Sequence, residues 1–499
     1  MRVALLLLCC ALWGCSWRSA SAPNAAEKAR DEAATVWRDV KTPHFVVRTN
    51  LDVSAAIEAG ETLETERAAI IGAIWPGLSF EEGDRTEAVI YANRELFRGY
   101  FGDSILAFSS ESAGIDCPLR FYTAALPARQ PRDVDRLRSA LVAEWVTKVY
   151  PLRARWFGAG LTRFLETLQD ANGGELVVIG LVHGRMLNSL RIAGPLPMRD
   201  VLAWKQPSSN PRNEAFAATS WLFVHWLYDR RPEPFARLQK ELAKGTRPKR
   251  AFEIAFPDFD PEAVDHELLL YLQEDRFGTR AADKRPSART VTERFEVRVL
   301  EAKEIHVELA RRARTAAVRA PTKRRTETLF KEVTHEIAHA LALDPMYVPA
   351  LWLDERPVIE ERRNRWRKVT EVHPDDPTAW FELGSYSSQI GDAGEAERAY
   401  RRLMDLRPRS YQGFNQLAWM MLKAGQVKEA LPLAVRAFQL APSNAAVLDT
   451  YAFALFKSDR CEEALAAQEQ AVEIVSQSAT HDRDYDDHLA EYQKACGME

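Results

Sequence analysis

Ser139 to Leu168 reads SALVAEWVTKVYPLRARWFGAGLTRFLETL, and the reading of the first half of the chain turns on this stretch. Leu141, Val142, Trp145, Val146 and Val149 recur at helical spacing. Pro151 supplies a break. Trp156, Phe157, Leu161, Phe164, Leu165 and Leu168 then give a second helix its apolar stripe. Two helices joined by a short turn are expected, with Glu144 as the acid on the first.

The pair resembles the active-site helices of the gluzincin-type peptidase MA-like metallopeptidases, of the kind fused to tetratricopeptide repeats. Their pattern is His-Glu-x-x-His on the first helix and Trp-x-x-Glu-Gly-Leu-Ala-Glu-Tyr opening the second. Laid on that pattern, the two His positions fall on Ala143 and Thr147, the third ligand on Ala159 and the next acidic position on Arg163. Glu144 keeps the place of the general base, and Trp156, Gly160, Leu161 and Phe164 keep the frame. A catalytic zinc needs about three protein ligands, and Ala, Thr and Ala supply none. The resemblance therefore implies a zincin-like α+β domain over 36–280 that lacks its metal, with Glu144 a remnant of a degenerate site and no cofactor expected.

Elements along this region fit an α+β order. His44 to Asn50 and Glu87 to Tyr91 read as strands, with the helical spacing of Val53 to Ile74 between them. A strand pair is expected around Ile115 to Tyr122. In the implied fold a strand runs along the active-site helix and binds extended peptide by strand addition. Helices are expected over 176–190, 215–227, 235–242 and 260–272. His225, alone among apolar residues, reads as a satisfied core histidine. The polar string from Asp275 to Val291 reads as the domain boundary.

The chain has 499 residues, which favours two to four domains. With 46% hydrophobic and 28% charged residues its composition is that of an ordinary globular protein. A formal net charge of −4 lacks the basic excess of a nucleic-acid partner, and Lys323-Arg324-Arg325 reads as a short solvated run at a turn. At the N-terminus Met1-Arg2 precedes the apolar run Val3 to Leu12, too short to be an ordinary transmembrane helix. It ends Leu12-Trp13-Gly14-Cys15, which is similar to a bacterial lipobox, with Trp13 departing from the usual small residue. The resemblance implies a signal peptide over 1–14, lipid on Cys15 and, from Ser16, the periplasmic face of the outer membrane; the alternative is an ordinary signal peptide whose cysteine is incidental. Residues 15–35 read as a tether. No later run of about 18 apolar residues follows. Of the remaining cysteines, Cys461 and Cys496 can pair in an oxidising compartment, but three isolated thiols, Cys117 included, are the expectation.

Beyond Phe295 the pattern is helical and repeats every 34 residues. One unit carries Trp380, Leu383, Gly384, Gly391, Ala396, Tyr400 and Pro408; the next carries Phe414, Leu417, Ala418, Gly425, Ala430, Ala434 and Pro442; a third carries Leu448, Tyr451, Ala452, Ala464 and Ala471. These units resemble tetratricopeptide repeats, placed here over 346–475, with a degenerate helical repeat over 295–345 and a solvating cap over 476–499. The resemblance implies a protein or peptide ligand in an inner groove presenting Phe381, Asn415, Trp419, Asp449, Phe453 and Phe456. The alternative is that Trp419 and Phe453 pack against neighbouring repeats.

His335-Glu336-Ile337-Ala338-His339 is an intact HExxH, which on a helix puts two imidazoles on one face. It supports a rival reading, a zinc metallopeptidase with His335 and His339 as ligands and Glu336 as base. The competing reading is a repeat helix with Ile337, Ala340 and Leu341 buried and both histidines facing water. No Trp-x-x-Glu-Gly helix follows it, so a non-catalytic, lipid-anchored envelope protein that binds a protein or peptide is the expectation.

Lipidation at Cys15 has a direct consequence. Cys15→Ser should move the protein from the membrane to the soluble fraction and abolish acyl labelling; unchanged fractionation speaks against the lipobox.

Overall fold

The computed structural model describes residues 35–74, 85–101, 106–109, 120–124, 138, 141–143, 145–146, 149–150, 152–171, 176–204, 212–283, 295–355, 357–476 and 483–497. The signal segment, Cys15, the tether to 34, Cys117, Glu144 and Thr147 lie outside them. The chain divides into two compact units, 1–38 with 299–354, and 39–298 with 355–499.

The larger unit begins with a six-stranded sheet. Its strands are β1 (Arg38–Lys41), β2 (Phe45–Thr49), β3 (Thr86–Tyr91), β4 (Leu106–Ser109), β5 (Arg120–Ala124) and, returning much later, β9 (Glu296–Val299), in the order β4-β5-β3-β2-β1-β9. β2 and β3 are parallel, as are β3 and β5, while β4 at one end runs antiparallel to β5. Helix α1 (Val53–Ile74) makes the crossover that a parallel β2–β3 pair requires. Ala56, Ala59, Leu63 and Ile70 of α1 are buried with Phe45 and Val47 in the same core. Glu64 of α1 accepts from the Thr42 hydroxyl (2.5 Å) and the His44 amide (2.8 Å), tying helix to strand. Of the strand pair expected around 115–122, residues 120–122 belong to β5, which pairs with β4, and residues 115–119 lie outside those described. The helix expected from 295 onward is preceded by β9: alternation in Glu-Val-Arg-Val suits an edge strand better than a helix.

A second, antiparallel sheet contains β6 (Gln169–Ala171), β7 (Leu176–Ile179) and β8 (Arg280–Asp283) in that order. This corrects the helix expected over 176–190. Leu-Val-Val-Ile is a β-branched run that fits a pleated surface. Gly180 then takes φ 86° where a Cβ would stand 2.5 Å from the carbonyl oxygen of Gly278, and the helix starts only at Gly184. It also corrects the boundary expected over 275–291, whose first part supplies β8.

The remaining elements are helices: α2 (Arg94–Phe101), α3 (Arg155–Leu165), α4 (Gly184–Ala193), α5 (Met198–Leu202), α6 (Asn213–Arg230), α7 (Pro232–Ala243), α8 (Pro248–Ala255) and α9 (Pro261–Glu274). Residues 138, 141–143, 145, 146 and 149 are helical ahead of α3. α6 is buried on every side from Ala218 to Leu227, so it is the axis of this region. α3 crosses it at Gly160, where a Cβ would lie 2.4 Å from the carbonyl oxygen of Ser220 and 2.8 Å from Cγ2 of Val224.

The same unit continues with α13 (Ile359–Val372) and three helix pairs: α14 (Pro377–Gln389) with α15 (Ala393–Leu406), α16 (Tyr411–Lys423) with α17 (Val427–Leu440), and α18 (Ala445–Phe456) with α19 (Cys461–Ser476). First helices open at 377, 411 and 445 and second helices at 393, 427 and 461, steps of 34 throughout. This is a tetratricopeptide-type solenoid, in which no unit buries its face alone. Gly384 admits the Tyr400 ring to 2.6 Å from where its Cβ would stand. The turns use one φ-positive residue per repeat, Gly391, Gly425 and Asp459. α20 (Asp484–Ala495) follows, and Cys461 is bonded to Cys496 across a Cα separation of 5.9 Å. The expectation of isolated thiols is thus overturned for these two, because the fold brings the start of α19 to the end of α20.

The smaller unit is a helical hairpin, α10 (Ala302–Val318) and α11 (Lys323–Leu343), closed by α12 (Val348–Leu353). Val307, Ala310 and Ala313 pack with Val333, Ile337 and Ala340. Lys323-Arg324-Arg325 forms the first turn of α11 behind the cap Thr322, and does not lie in a turn between helices.

Because the Gly160 contact is backbone to backbone, no side chain can yield to relieve it. Gly160→Ala should cost about 1–3 kcal/mol, read as a lower urea midpoint with native-like far-ultraviolet circular dichroism. An unchanged midpoint would show that α3 and α6 can separate freely.

Candidate functional site

Two of the residues laid on the peptidase-like pattern can be located in space. Ala143, at the first His position, and Ala159, at the third-ligand position, line one cleft of about 550 Å³. Its other walls bring guanidinium groups: Arg153 and Arg155 before and at the start of α3, Arg163 one turn beyond Ala159, and Arg185 on α4. Among the described lining residues Glu214 of α6 is the carboxylate, and it accepts from Arg185 Nε at 2.9 Å. Arg163 Nη1 donates to both oxygens of Glu166 (2.7 and 2.8 Å). His183 caps α4 by accepting from the Met186 amide through Nδ1, which leaves Nε2–H to donate to Glu166 at 3.1 Å. The Arg155 guanidinium lies 5.3 Å from the Trp204 ring centre, and Trp204 stacks on Phe216 at 5.0 Å. Burial lowers the Arg153 guanidinium to about 10, so it stays cationic at neutral pH. Among the described lining residues, methyl groups and guanidiniums do not suit a zinc ion. Of these residues the motif marks only Arg163, at its next acidic position; Arg153, Arg155, Arg185 and Trp204 carry no sequence signal linking them to it.

A larger depression of about 890 Å³ lies elsewhere, lined by Arg191, Arg230, Asp229, Asp275 and Arg276 among others. Its charges answer one another: Arg191 binds Asp275 at 2.7 Å and Arg230 binds Glu274 at 2.7 Å.

In the HEIAH motif His335 and His339 are exposed on α11, with their Nε2 atoms 3.2 Å apart. Ile337 and Ala340 are buried and Leu341 is half-buried. Glu336 is 2% exposed and turned into the hairpin, where Oε2 lies 2.7 Å from His306 Nδ1 on α10. The His306 ring lies against His339, centroids 5.1 Å apart. Glu336 thus lies in the helix interface while His335 and His339 are exposed. Among the described residues no group of three or more His, Cys, Asp or Glu is placed to hold a metal ion.

The repeat positions form columns. Phe381, Asn415 and Asp449 stand 34 apart, as do Trp419 and Phe453, and Lys423 and Lys457, at successive turns of the first helices. The Trp419 and Phe453 rings meet at 5.6 Å, with Lys423 Nζ over Trp419 (5.2 Å) and Lys457 Nζ over Phe453 (5.4 Å). Asn415 is 6% exposed, and among the described residues its Oδ1 has no hydrogen-bond donor. The column ends differently. Asp449 accepts from Gln468 Nε2 and lies against His488 Nδ1, both at 2.8 Å, and Phe456 stacks on the buried Tyr492 at 4.4 Å, so these two hold α19 and α20.

No family model matches the chain, and no curated protein matches it. Among solved structures it is similar to MamA from Desulfovibrio magneticus RS-1 (21% identity, 29% of this chain and 78% of that one, TM-score 0.26). It is also similar to a thermophilic TPR protein of Thermus thermophilus (15%, 37% and 99%, 0.30) and to PilW, a widely conserved type IV pilus biogenesis factor (15%, 40% and 88%, 0.33). At these scores the repeat fold rests on the helix pairs and their 34-residue step alone.

His225 of α6 is fully buried: Nε2–H donates to the Gly180 carbonyl at 2.8 Å, and Nδ1 lies 2.9 Å from the Tyr271 hydroxyl, whose one hydrogen is shared between Nδ1 and Asp229 at 3.0 Å. Burial lowers its pKa below the ordinary imidazole value. Below about pH 6.5 the unfolded chain takes up a proton that the folded chain resists, so stability is full above that pH and falls on acidification toward the folded-state pKa. Between about pH 7.5 and 5.5 the melting temperature should drop, and His225→Asn should flatten that slope while lowering stability by about 1–3 kcal/mol. An equal slope in both proteins would remove His225 as its source.

Proposed function

We propose that this chain is a lipid-anchored cell-envelope protein that works by binding a protein or peptide segment through its repeats, with the first domain a peptidase-like scaffold that does no catalysis. The observation that carries the binding reading is the Asn415 side chain: a buried amide oxygen without a donor among the described residues, beside Trp419 and Phe453, in a column that recurs once per repeat. A buried acceptor without a partner is costly, and a peptide N–H supplied from the groove would satisfy it. Phe381, Asn415, Trp419 and Phe453 are the contact positions; Asp449 and Phe456 act at one remove by fixing the C-terminal helix. The Cys461–Cys496 bond supports an oxidising compartment, which agrees with the lipobox-like N-terminus, and among the described residues no helix is long and apolar enough to cross a membrane. β4, at the end of the six-stranded sheet, is the strand that a peptide would extend in the peptidase-like reading. The inward turn of Glu336 supports absence of catalysis at the second candidate motif. No zinc is expected as a cofactor.

The test is affinity for a peptide selected against the full chain. Trp419→Ala and Phe453→Ala should each weaken binding by about 1–3 kcal/mol if they are anchors, with melting curves near wild type. Variants that merely unfold would assign both rings to packing between repeats. The close Nε2 pair of His335 and His339 is the one observation favouring the rival zinc peptidase. One tightly held zinc per chain, together with proteolysis that Glu336→Gln abolishes, would establish that rival instead.

A further inference from the structure

We propose that the ligand of the repeat groove is an acidic peptide segment of a partner protein, with a carboxylate that bridges Lys423 and Lys457 and a chain that passes Trp419 and Asn415. This rests on the binding reading above and adds the chemistry of the partner to it.

The two lysines are the first argument. Lys423 Nζ lies 5.2 Å from the Trp419 ring centre and 6.0 Å from that of Phe453. Lys457 Nζ lies 5.4 Å from the same Phe453 centre and 5.6 Å from that of Phe456. Two ammonium groups thus converge on one ring. Both lysines are exposed, and among the described residues neither has a carboxylate within ion-pair reach. A ring face attracts each cation weakly at an exposed site, while the cations repel each other. A carboxylate between them answers both charges, with hydrogen bonds of the stronger, charge-assisted kind.

Placement is the second. Trp419 with Lys423, and Phe453 with Lys457, are each one turn apart on a first helix, whereas the first repeat carries Ser385 and Gln389 at the same positions. The cations therefore occur only in the repeats that carry the rings. Asp449, the carboxylate of the column, is already engaged: its Oδ1 accepts from Gln468 Nε2 and lies 2.8 Å from His488 Nδ1.

The third is the buried amide at the other end of the same helix face. Asn415 is 6% exposed, and its Oδ1 has no donor among the described residues. From Asn415 to Lys423 the helix rises about 12 Å, which an extended chain covers in about four residues. One peptide can give a backbone N–H to Asn415, set an apolar side chain on Trp419 and bring a carboxylate to the lysines. A free inorganic anion would answer the lysines alone.

The experiment is selection of a random displayed peptide library against the disulfide-bonded full chain at low ionic strength. A selected peptide is then titrated as free acid and as C-terminal amide. The selected set should be enriched in Asp or Glu near an apolar residue, with binding that weakens as salt is added. Replacing the acidic residues of the peptide by Asn or Gln should weaken binding about ten-fold or more. The double variant Lys423→Gln, Lys457→Gln should do the same, and the two changes together should cost little more than either alone. Lys249→Gln, on α8 and outside the repeats, should change nothing. Loss of binding on amidation assigns the carboxylate to the C-terminus of the ligand; retained binding assigns it to a side chain. If the lysine variant does not fold, the neutralised peptide still tests the contact from the other side. Selected peptides that need Trp419 but no acidic residue would overturn the proposal and leave the binding reading standing. A library that yields no binder would overturn both.

Discussion

The contact of Gly160 with the backbone of α6 is the constraint from which the first domain follows. It lets α3 cross α6 closely enough that Trp156 meets Phe223 at 5.0 Å and Phe164 meets His225 at 5.3 Å. With α6 buried on all sides, its apolar residues can serve α3, α4 and α7 at once. The cleft is a by-product of that crossing: Ala159 lies one residue before the contact and Ala217 of α6 one turn before Ser220, so a floor of small side chains is set by the same geometry.

The repeats obey a different constraint, periodicity. A step of 34 puts each substituted position directly against its counterparts, so a column is either shared by all units or visibly broken. Gly391 and Gly425 hold the left-handed turn cheaply, whereas Asp459 holds it with φ 58° and a side chain. The third unit is thus locally less favourable at its turn. It is also the unit that α20 covers and that the Cys461–Cys496 bond closes, which raises its stability by restricting the unfolded chain.

These constraints explain what could be read in advance. The repeats were legible because the same residue types recur three times, and each recurrence checks the others. Gly160 was legible as part of a motif, though not its reason, which needs the Ser220 carbonyl. Leu176 to Ile179 was misread because a short apolar run has no period of its own; Gly180 was the available signal. Pairing of Cys461 with Cys496 depended on the return of α20, which spacing alone does not give. Glu336 was unreadable for a similar reason, since its partner His306 lies on the other helix of the hairpin.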